Sequence, residues 1–363
     1  MAPRTLDDRR LNRTLLDRQS LLRRARRPAL AMVERLVGLQ AQVPRDPYVA
    51  LWSRIQGFQV DALARPLEER RAVRLTLFRC TLHLVTDRDA LALRPVLHEA
   101  ILRLLYTGSP FGRRLEGLDV DELSSVATQL LEEQPRTRAQ LAPLLADRWP
   151  THDGPSLAYA ATYLLPLVQV TPRGLWGRSG ASAFTTLERW LGRRLRRATA
   201  PDDMVLRYLA AFGPSTPADL QSWSGLRGTA ELLDRLRPTL RTYRDTDGRE
   251  LFDVADGRLR ASDSVAPVRF LPEYDNVLLA HARRSRIVPD GMPQWTDVGW
   301  GSVLVDGFGA ARWRLDKAGE NLAIEPFRRI APAVRTEVGD EAARLGEFLT
   351  DGQRAPAIRI ARV

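Results

Sequence analysis

The chain has 363 residues, 55 Lys and Arg against 44 Asp and Glu, a formal net charge of +11, and 44% hydrophobic residues. That apolar fraction excludes a disordered chain, and a single cysteine, Cys80, excludes an intrachain disulfide. The cationic balance points to an anionic partner, nucleic acid before membrane surface, with high-arginine coding as the plain alternative.

The N-terminal "MAPRTLDDRR" has no apolar signal core and no run is long enough to span a bilayer. A cytoplasmic, nucleoid-associated protein with no membrane partner is expected. Next come three helical runs, "LLDRQSLLRR", "ALAMVERLVGLQ" and "YVALWSRIQ", and two alternating strands, "RAVRLTLFR" and "TLHLVT". "LSSVATQLLEEQ", "PRTRAQLAPLLADRW" (Thr137 a candidate cap) and "SLAYAATYLLPLV" read as three more helices before a possible wing, "QVTPRGLWGRSG". The third set is the clearest. "DMVLRYLAAFG" is stopped by Gly213-Pro214, and "STPADLQSWS" restarts with Ser215 or Thr216 as N-cap. "TAELLDRLRPTL" follows, then a hairpin, "RTYRDTDGRELFDV", turning at Asp247-Gly248. Three helices and a hairpin are the order of a winged helix. From about residue 265 the texture is strand-like, with one helix near 337–349. The expected fold is α+β: winged-helix modules over 1–87, 88–185 and 186–262, and a mostly β scaffold over 263–363.

Two glutamines one residue apart close the second helical run, in "GLQAQVPRDPY". Pro44 biases Val43 away from the α region, so the helix is expected to end near Leu39 to Gln42. In an extended exit Gln40 and Gln42 face one space, with Ala41 turned inward. Ordinary solvated glutamines are the plain reading. Asp46, before Pro47, is a candidate helper or a turn residue. By alternation His83 shares a side with Thr81 and Val85, toward a groove if Leu82 and Leu84 face the core.

Arginine clusters at Arg23, Arg24, Arg26 and Arg27, at Arg193, Arg194, Arg196 and Arg197, and at Arg283, Arg284 and Arg286 suit phosphate contact or a solvated face. Arg244 and Arg249 flank the wing. Trp52 reads as core, and Cys80 as a small buried residue. His83, His98, His152 and His281 lack metal-ligand spacing, so neither metal nor cofactor is expected. Schiff-base chemistry needs an amine, and only Lys317 or the chain's own N-terminus supplies one. An enzyme of this composition is therefore expected to be monofunctional.

Four blocks, "GLQAQVPRDPYVALWSRI", "FRCTLHLVTDRDA", "RFLPEYDNVLLAHARR" and "VLVDGFGAARWRL", resemble the AlkZ-like (AlkZ/YcaQ) family of bacterial DNA glycosylases. The resemblance implies tandem winged helices and a β domain around a concave surface for double-stranded DNA, with an open cleft and no tight base pocket. The family's catalytic motif is Gln-hydrophobic-Gln in the AlkZ branch and Gln-hydrophobic-Asp in the YcaQ branch. Gln40-Ala41-Gln42 matches the first, and implies that Gln40 and Gln42 are catalytic. The substrates so implied are bulky or crosslinked N7-alkylated purines, in repair or in self-resistance to a DNA-alkylating antibiotic. Asp46, His83, Arg193, Arg194, Arg197, Arg244, Arg249, His281, Arg283 and Arg284 are then candidates to touch DNA or lesion. Tyr274, Asp275 and His281 could bind DNA or organise the β domain. A monomer is expected. A winged-helix regulator without chemistry, or a protein-binding scaffold, would use the same arginines and leave the glutamines idle.

Overall fold

A computed structural model describes residues 4–289 and 298–362. The chain is a mixed α and β protein in which one order, α-β-α-α-β-β, recurs. It starts with β1 (Thr5–Leu6) and α1 (Asp8–Arg18), the helix capped by Asp7, whose carboxylate accepts from the Arg10 N–H at 2.6 Å. The first occurrence of that order follows: α2 (Ala29–Arg35), β2 (Leu39–Gln40), α3 (Asp46–Arg54), α4 (Asp61–Glu68) and the hairpin β3 (Ala72–Thr76) and β4 (Leu82–Thr86). Helices α5 (Asp87–Val96) and α6 (His98–Gly108) lead into the second: α7 (Val120–Glu133), β5 (Arg136–Thr137), α8 (Arg138–Arg148), α9 (Gly154–Leu164), β6 (Leu167–Gln169) and β7 (Ala183–Thr186). After α10 (Leu187–Leu191), the third has α11 (Asp202–Phe212), α12 (Pro217–Ser224), α13 (Thr229–Leu236), β8 (Leu240–Asp245) and β9 (Glu250–Val254). A bridge from Ser215 to Phe252 stands where the single strand belongs.

The remainder is β10 (Arg269–Leu271), α14 (Asn276–Leu279), β11 (Gly301–Val305), β12 (Phe308–Leu315), β13 (Asn321–Pro326), α15 (Pro332–Leu349) and β14 (Ala357–Ile360). These strands form one sheet in the order β10-β11-β12-β13-β14. Val338, Ala342 and Leu345 of α15 bury against it, in one core with Phe270, Leu322 and Ile324. Val49 of α3 joins that core. Helix α3 is thereby held between the C-terminal sheet and the first helical unit.

The hairpins of the first two units do not stand apart. They merge into one six-stranded sheet, β2-β4-β3-β6-β7-β5, joined where Arg74 meets Gln169 and Leu75 meets Val168. β1 leaves the first unit and pairs in parallel with β8, bringing Leu6 opposite Asp245. Packing therefore sets residues 5–6 with the third hairpin, whereas the sequence reading grouped them with the first module. The third helix before β3 is α4, not the N-terminal run. Phe78, at the tip of the β3–β4 hairpin, stacks on Trp223 of α12 with centroids 4.0 Å apart, and Trp223 lies 4.7 Å from Tyr208 of α11. This aromatic seam fixes the hairpin tip against the third unit.

Candidate active site

The second helix stops earlier than Pro44 alone predicts. Val37 and Gly38 take φ of 55° and 91°, turning the chain after Arg35 into β2. A Cβ on Gly38 would lie 2.6 Å from Val85 Cγ1, so glycine is required both by conformation and by the closeness of β4. β2 pairs antiparallel with β4, Leu39 opposite Leu84 and Gln40 opposite His83. The ladder continues through the Ala41 N–H to Leu82 O at 2.7 Å. There the backbones part, and the Gln42 side chain completes the pairing: its Oε1 accepts the Leu82 N–H at 3.1 Å.

Gln40 Oε1 accepts from Arg79 Nη2 at 2.8 Å, while Arg79 Nη1 donates to Trp223 O at 3.1 Å. Neither a guanidinium nor a peptide N–H can accept a hydrogen bond. Both amide oxygens must therefore face these donors, and both amide nitrogens remain as donors on the other side. Ala41 is buried as expected, and Arg74 Nη2 holds its carbonyl at 2.7 Å. The two amides converge on one segment, residues 79–82. They do not share an open face: Gln42 is exposed, but Gln40 is only 5% exposed, beneath the arginine.

Arg79 itself is held in an unusual backbone. Arg79 and Cys80 have φ of 53° and 55°, in a turn closed by the Thr81 N–H to Phe78 O at 3.0 Å. Non-glycine residues in this region cost about 1–3 kcal/mol each, and such strain concentrates at functional positions. Burial and the neighbouring Arg284 push the Arg79 guanidinium down to about 10, still cationic at neutral pH. Among the described residues no carboxylate forms an ion pair with it.

The loop "LPEYDN" is the brace behind this site. Asp275 receives a two-pronged bond from Arg54 of α3, at 2.6 and 2.8 Å, with both side chains fully buried. Asn276 Nδ2 donates to Gly38 O at 2.7 Å. Asp275 therefore organises the scaffold. Asp46, 7% exposed, accepts from the Tyr274 N–H; desolvation first, then Glu273, push its carboxyl up to about 8. It does not cap α3, and the residue offered as a helper or DNA contact lies buried and protonated.

His83 does lie on the Gln40 side of the sheet, but it is 2% exposed, edge-on to Phe78, with Nδ1 2.9 Å from Thr81 O. Burial, helped by Arg79, pushes it down to about 3 and keeps it neutral. The neutral ring donates Nδ1–H to that carbonyl. His281 is likewise sealed, 5% exposed and pushed down to about 3 by burial first and Arg286 second. It sits 3.0 Å from Arg286 Nη1, which donates to Pro214 O at 2.6 Å. Both histidines are thus covered, His83 by the aromatic seam on a face that strand alternation alone leaves open.

The first two arginine clusters lie on loops: residues 22–28 are irregular, and Gly192, with φ 63°, ends α10 before Arg193, while Arg284 and Arg286 of the third stand in a single 3-10 turn. Arg193 pairs with Asp87, Arg249 with Asp245, and Arg283 with Asp247, while Arg244 donates to Gly248 O. Arg194, Arg197 and Arg284 are exposed and make no ion pair with the described residues. Trp52 packs on Phe348 under the Arg24 guanidinium. Cys80 is half-buried, with Sγ 3.6 Å from Ile101 O.

Two open hollows adjoin the site. One, of about 220 Å³, is lined by Arg79, Cys80, Leu104, Tyr159 and Tyr163 among others. The second, of about 480 Å³, is lined by Arg103, Leu104, Gln221, Arg227 and Ala282 among others. They meet at Leu104, and no Asp or Glu lines either. Arg138 lies 5.1 Å over the Tyr159 ring. These hollows, open to solvent and lined by arginine without acid, are suited to a polyanion rather than to an enclosed small molecule, and Arg79 links the first of them to Gln40.

Fold and site thus define a nucleic-acid-facing α+β protein. The solved Streptomyces sahachiroi DNA glycosylase AlkZ has the same fold: TM-score 0.74 at 20% identity, covering 98% of this chain and 100% of that one. An interstrand DNA cross-link repair glycosylase of Streptomyces sahachiroi is 26% identical over 345 residues, 86% of this chain and 88% of that protein. Residues 33–348 match the family AlkZ-like, "DNA glycosylase AlkZ-like". The chain belongs to that family of DNA glycosylases.

Among the described residues no helix is long and apolar enough to cross a membrane, and no group of His, Cys, Asp and Glu could hold a metal ion.

Proposed function

We propose that this chain is a monofunctional glycosylase, built on three winged-helix modules, that hydrolyses the N-glycosidic bond of bulky or crosslinked N7-alkylated purines in double-stranded DNA. The supporting relative is named for interstrand cross-link repair, and crosslink repair or self-resistance to an alkylating antibiotic is the proposed role. The observation that carries the reading is a pair of uncharged amides on one segment, one of them bonded to an arginine that lines an acid-free hollow.

A purine alkylated at N7 already carries a positive charge. As the C1′–N9 bond breaks, its electron pair neutralises the base, which leaves without a general acid. The sugar takes on the positive charge, water oxygen bonds to C1′, and the surplus proton passes to solvent. What remains for the protein is to place the water and steady the sugar cation through fixed dipoles. Gln42, exposed, holds the water through the second lone pair of its Oε1, and Gln40, on the same segment, turns the negative end of its amide dipole to the sugar. Asp46, protonated and buried, takes no proton from that water.

Lys317, the only lysine, lies exposed in the turn between β12 and β13, on the other sheet from the glutamines. The N-terminal amine lies outside the described residues. No amine is therefore assigned to the sugar, and the product is an abasic site.

The test is incubation with duplex DNA carrying N7-methylguanine, then a bulky N7 adduct, followed by alkaline cleavage. Strand breaks that appear only after alkali support the reading. Intact DNA after alkali removes it, and a borohydride-trapped covalent adduct contradicts the monofunctional mechanism.

A further inference from the structure

Arg79 is in an electrostatically awkward place. A guanidinium bonded to a glutamine opposes positive charge developing on a sugar beside that glutamine. Two like charges held close in a site of low dielectric repel, which would slow the step by about tenfold. Some buried cations in this chain are neutralised by carboxylates, Arg54 by Asp275 and Arg18 by Asp253, while Arg74 and Arg94 are sealed in the interior on neutral acceptors; Arg79 instead lines an open hollow. Arg79 has no such partner among the described residues. Its strongest charged neighbour is another cation, Arg284, which is exposed. The hollow that Arg79 lines contains no acidic side chain. Its turn is also held with positive φ at two successive non-glycine residues, a cost that packing of Phe78 on Trp223 sustains.

We propose that Arg79 and Arg284 together seat a backbone phosphate of the DNA, next to the lesion, and that this phosphate is the missing counter-ion of the site. The inference deepens the glycosylase reading and, for its catalytic consequence, rests on it. A phosphate between two guanidiniums accepts charge-assisted bonds from both. It cancels the charge that opposes the sugar cation. A guanidinium drawn toward phosphate also gives up Gln40 Oε1, which frees a lone pair on that oxygen and uncovers the amide. The chemistry is then switched on by the polymer that carries the lesion. Arg79 is in this sense a positioning residue that acts through Gln40, and a phosphate ligand.

The full-length protein, as wild type, Arg79→Ala and Arg284→Ala, is titrated with duplex DNA over a salt series. Each phosphate contact contributes about −0.9 to the slope of log K against log salt. The expected result is a slope shallower by about one unit in each variant. Arg284 is exposed, so its variant reports even if Arg79→Ala fails to fold. Two variants with the wild-type slope, or Arg284→Ala alone with that slope where Arg79→Ala is unfolded, overturn the proposal. Base release from N7-methylguanine duplexes with a neutral methylphosphonate beside the lesion is the second arm. There the wild type is expected to lose about tenfold at one linkage, and Arg284→Ala to lose little more at that same linkage. Equal losses in wild type and variant at every linkage count against the seat. If no base is released by the wild type but the slopes fall as expected, the phosphate seat stands and the glycosylase reading fails.

Discussion

Two arginine-rich hollows in this molecule differ in one respect. The hollow of about 630 Å³ between α2, α5 and α11 is lined by Arg27, Arg35, Arg88, Arg196 and Arg207, but also by Glu34, Asp89 and Asp203. Arg207 is bonded there to both oxygens of Asp89, at 2.6 and 2.7 Å. The hollows beside the glutamines hold arginines and no carboxylate. The first region uses its cations to fix three helices to one another. The second leaves cations without an acidic partner in its lining, which costs folding stability and suits the anion proposed above. Under the proposed function, arginine count alone does not mark a DNA surface, and the absence of acidic partners is the sharper sign.

The largest expected effect lies on the paired side of that contrast. Arg54→Ala leaves the Asp275 carboxylate buried and alone behind the glutamines, and is expected to cost about 3–5 kcal/mol in chemical denaturation. An undisturbed midpoint would show that the brace is dispensable.

The next effect is acid lability. His83 and His281 are held neutral, with folded values near 3 against an ordinary 6.5. Below pH 6.5 the unfolded chain takes up protons that the folded chain refuses. Stability is therefore full above that pH and is lost as pH falls toward 3, by about 2–3 kcal/mol for each histidine at pH 4.5. Replacing His83 by Asn should flatten this pH dependence; an unchanged profile would mean the ring is reached by water.

Asp46 has the opposite sign. Its folded value near 8 exceeds the ordinary 3.8, so its contribution is complete below pH 3.8 and is lost as pH rises through 8. Asp46→Asn should therefore gain stability relative to wild type with rising pH, by about 3–4 kcal/mol between pH 4 and pH 7, and retain base release. Loss of base release in this variant would return Asp46 to the chemistry.

The smallest effect belongs to the exposed, unpaired Arg197. Arg197→Ala should weaken duplex binding about threefold and shave the salt slope by up to one phosphate. The self-paired Arg249 should shift neither, and a larger effect from Arg249→Ala would invert the ranking.

Much of the fold could be read from local chemistry. Thr216 and Thr137 each form a capping box, with Asp219 and Gln140, and the hairpin turns at Asp247-Gly248. The expected helix near 337–349 is the C-terminal part of α15. These signals are carried by residues three or four apart. What the sequence did not reveal depends on partners far along the chain. The merging of two hairpins through Arg74 and Gln169, the return of β1 to β8, and the covering of His83 and His281 have no local signature. In the site, the paired glutamines were legible as a pattern and Ala41 turned inward as alternation requires. Arg79 was not singled out. Its role depends on a left-handed turn that arginine rarely adopts, on an amide 39 residues earlier, and on the Trp223 carbonyl of another unit.

The central claim, that uncharged amides complete the departure of an already cationic base, is tested most directly by single-turnover release of N7-methylguanine from duplex DNA by Gln42→Ala beside the wild type. The account predicts a fall of about a hundredfold with duplex affinity and unfolding midpoint retained, and no release by either protein of a neutral, unalkylated purine. Release by Gln42→Ala at the wild-type rate would contradict it.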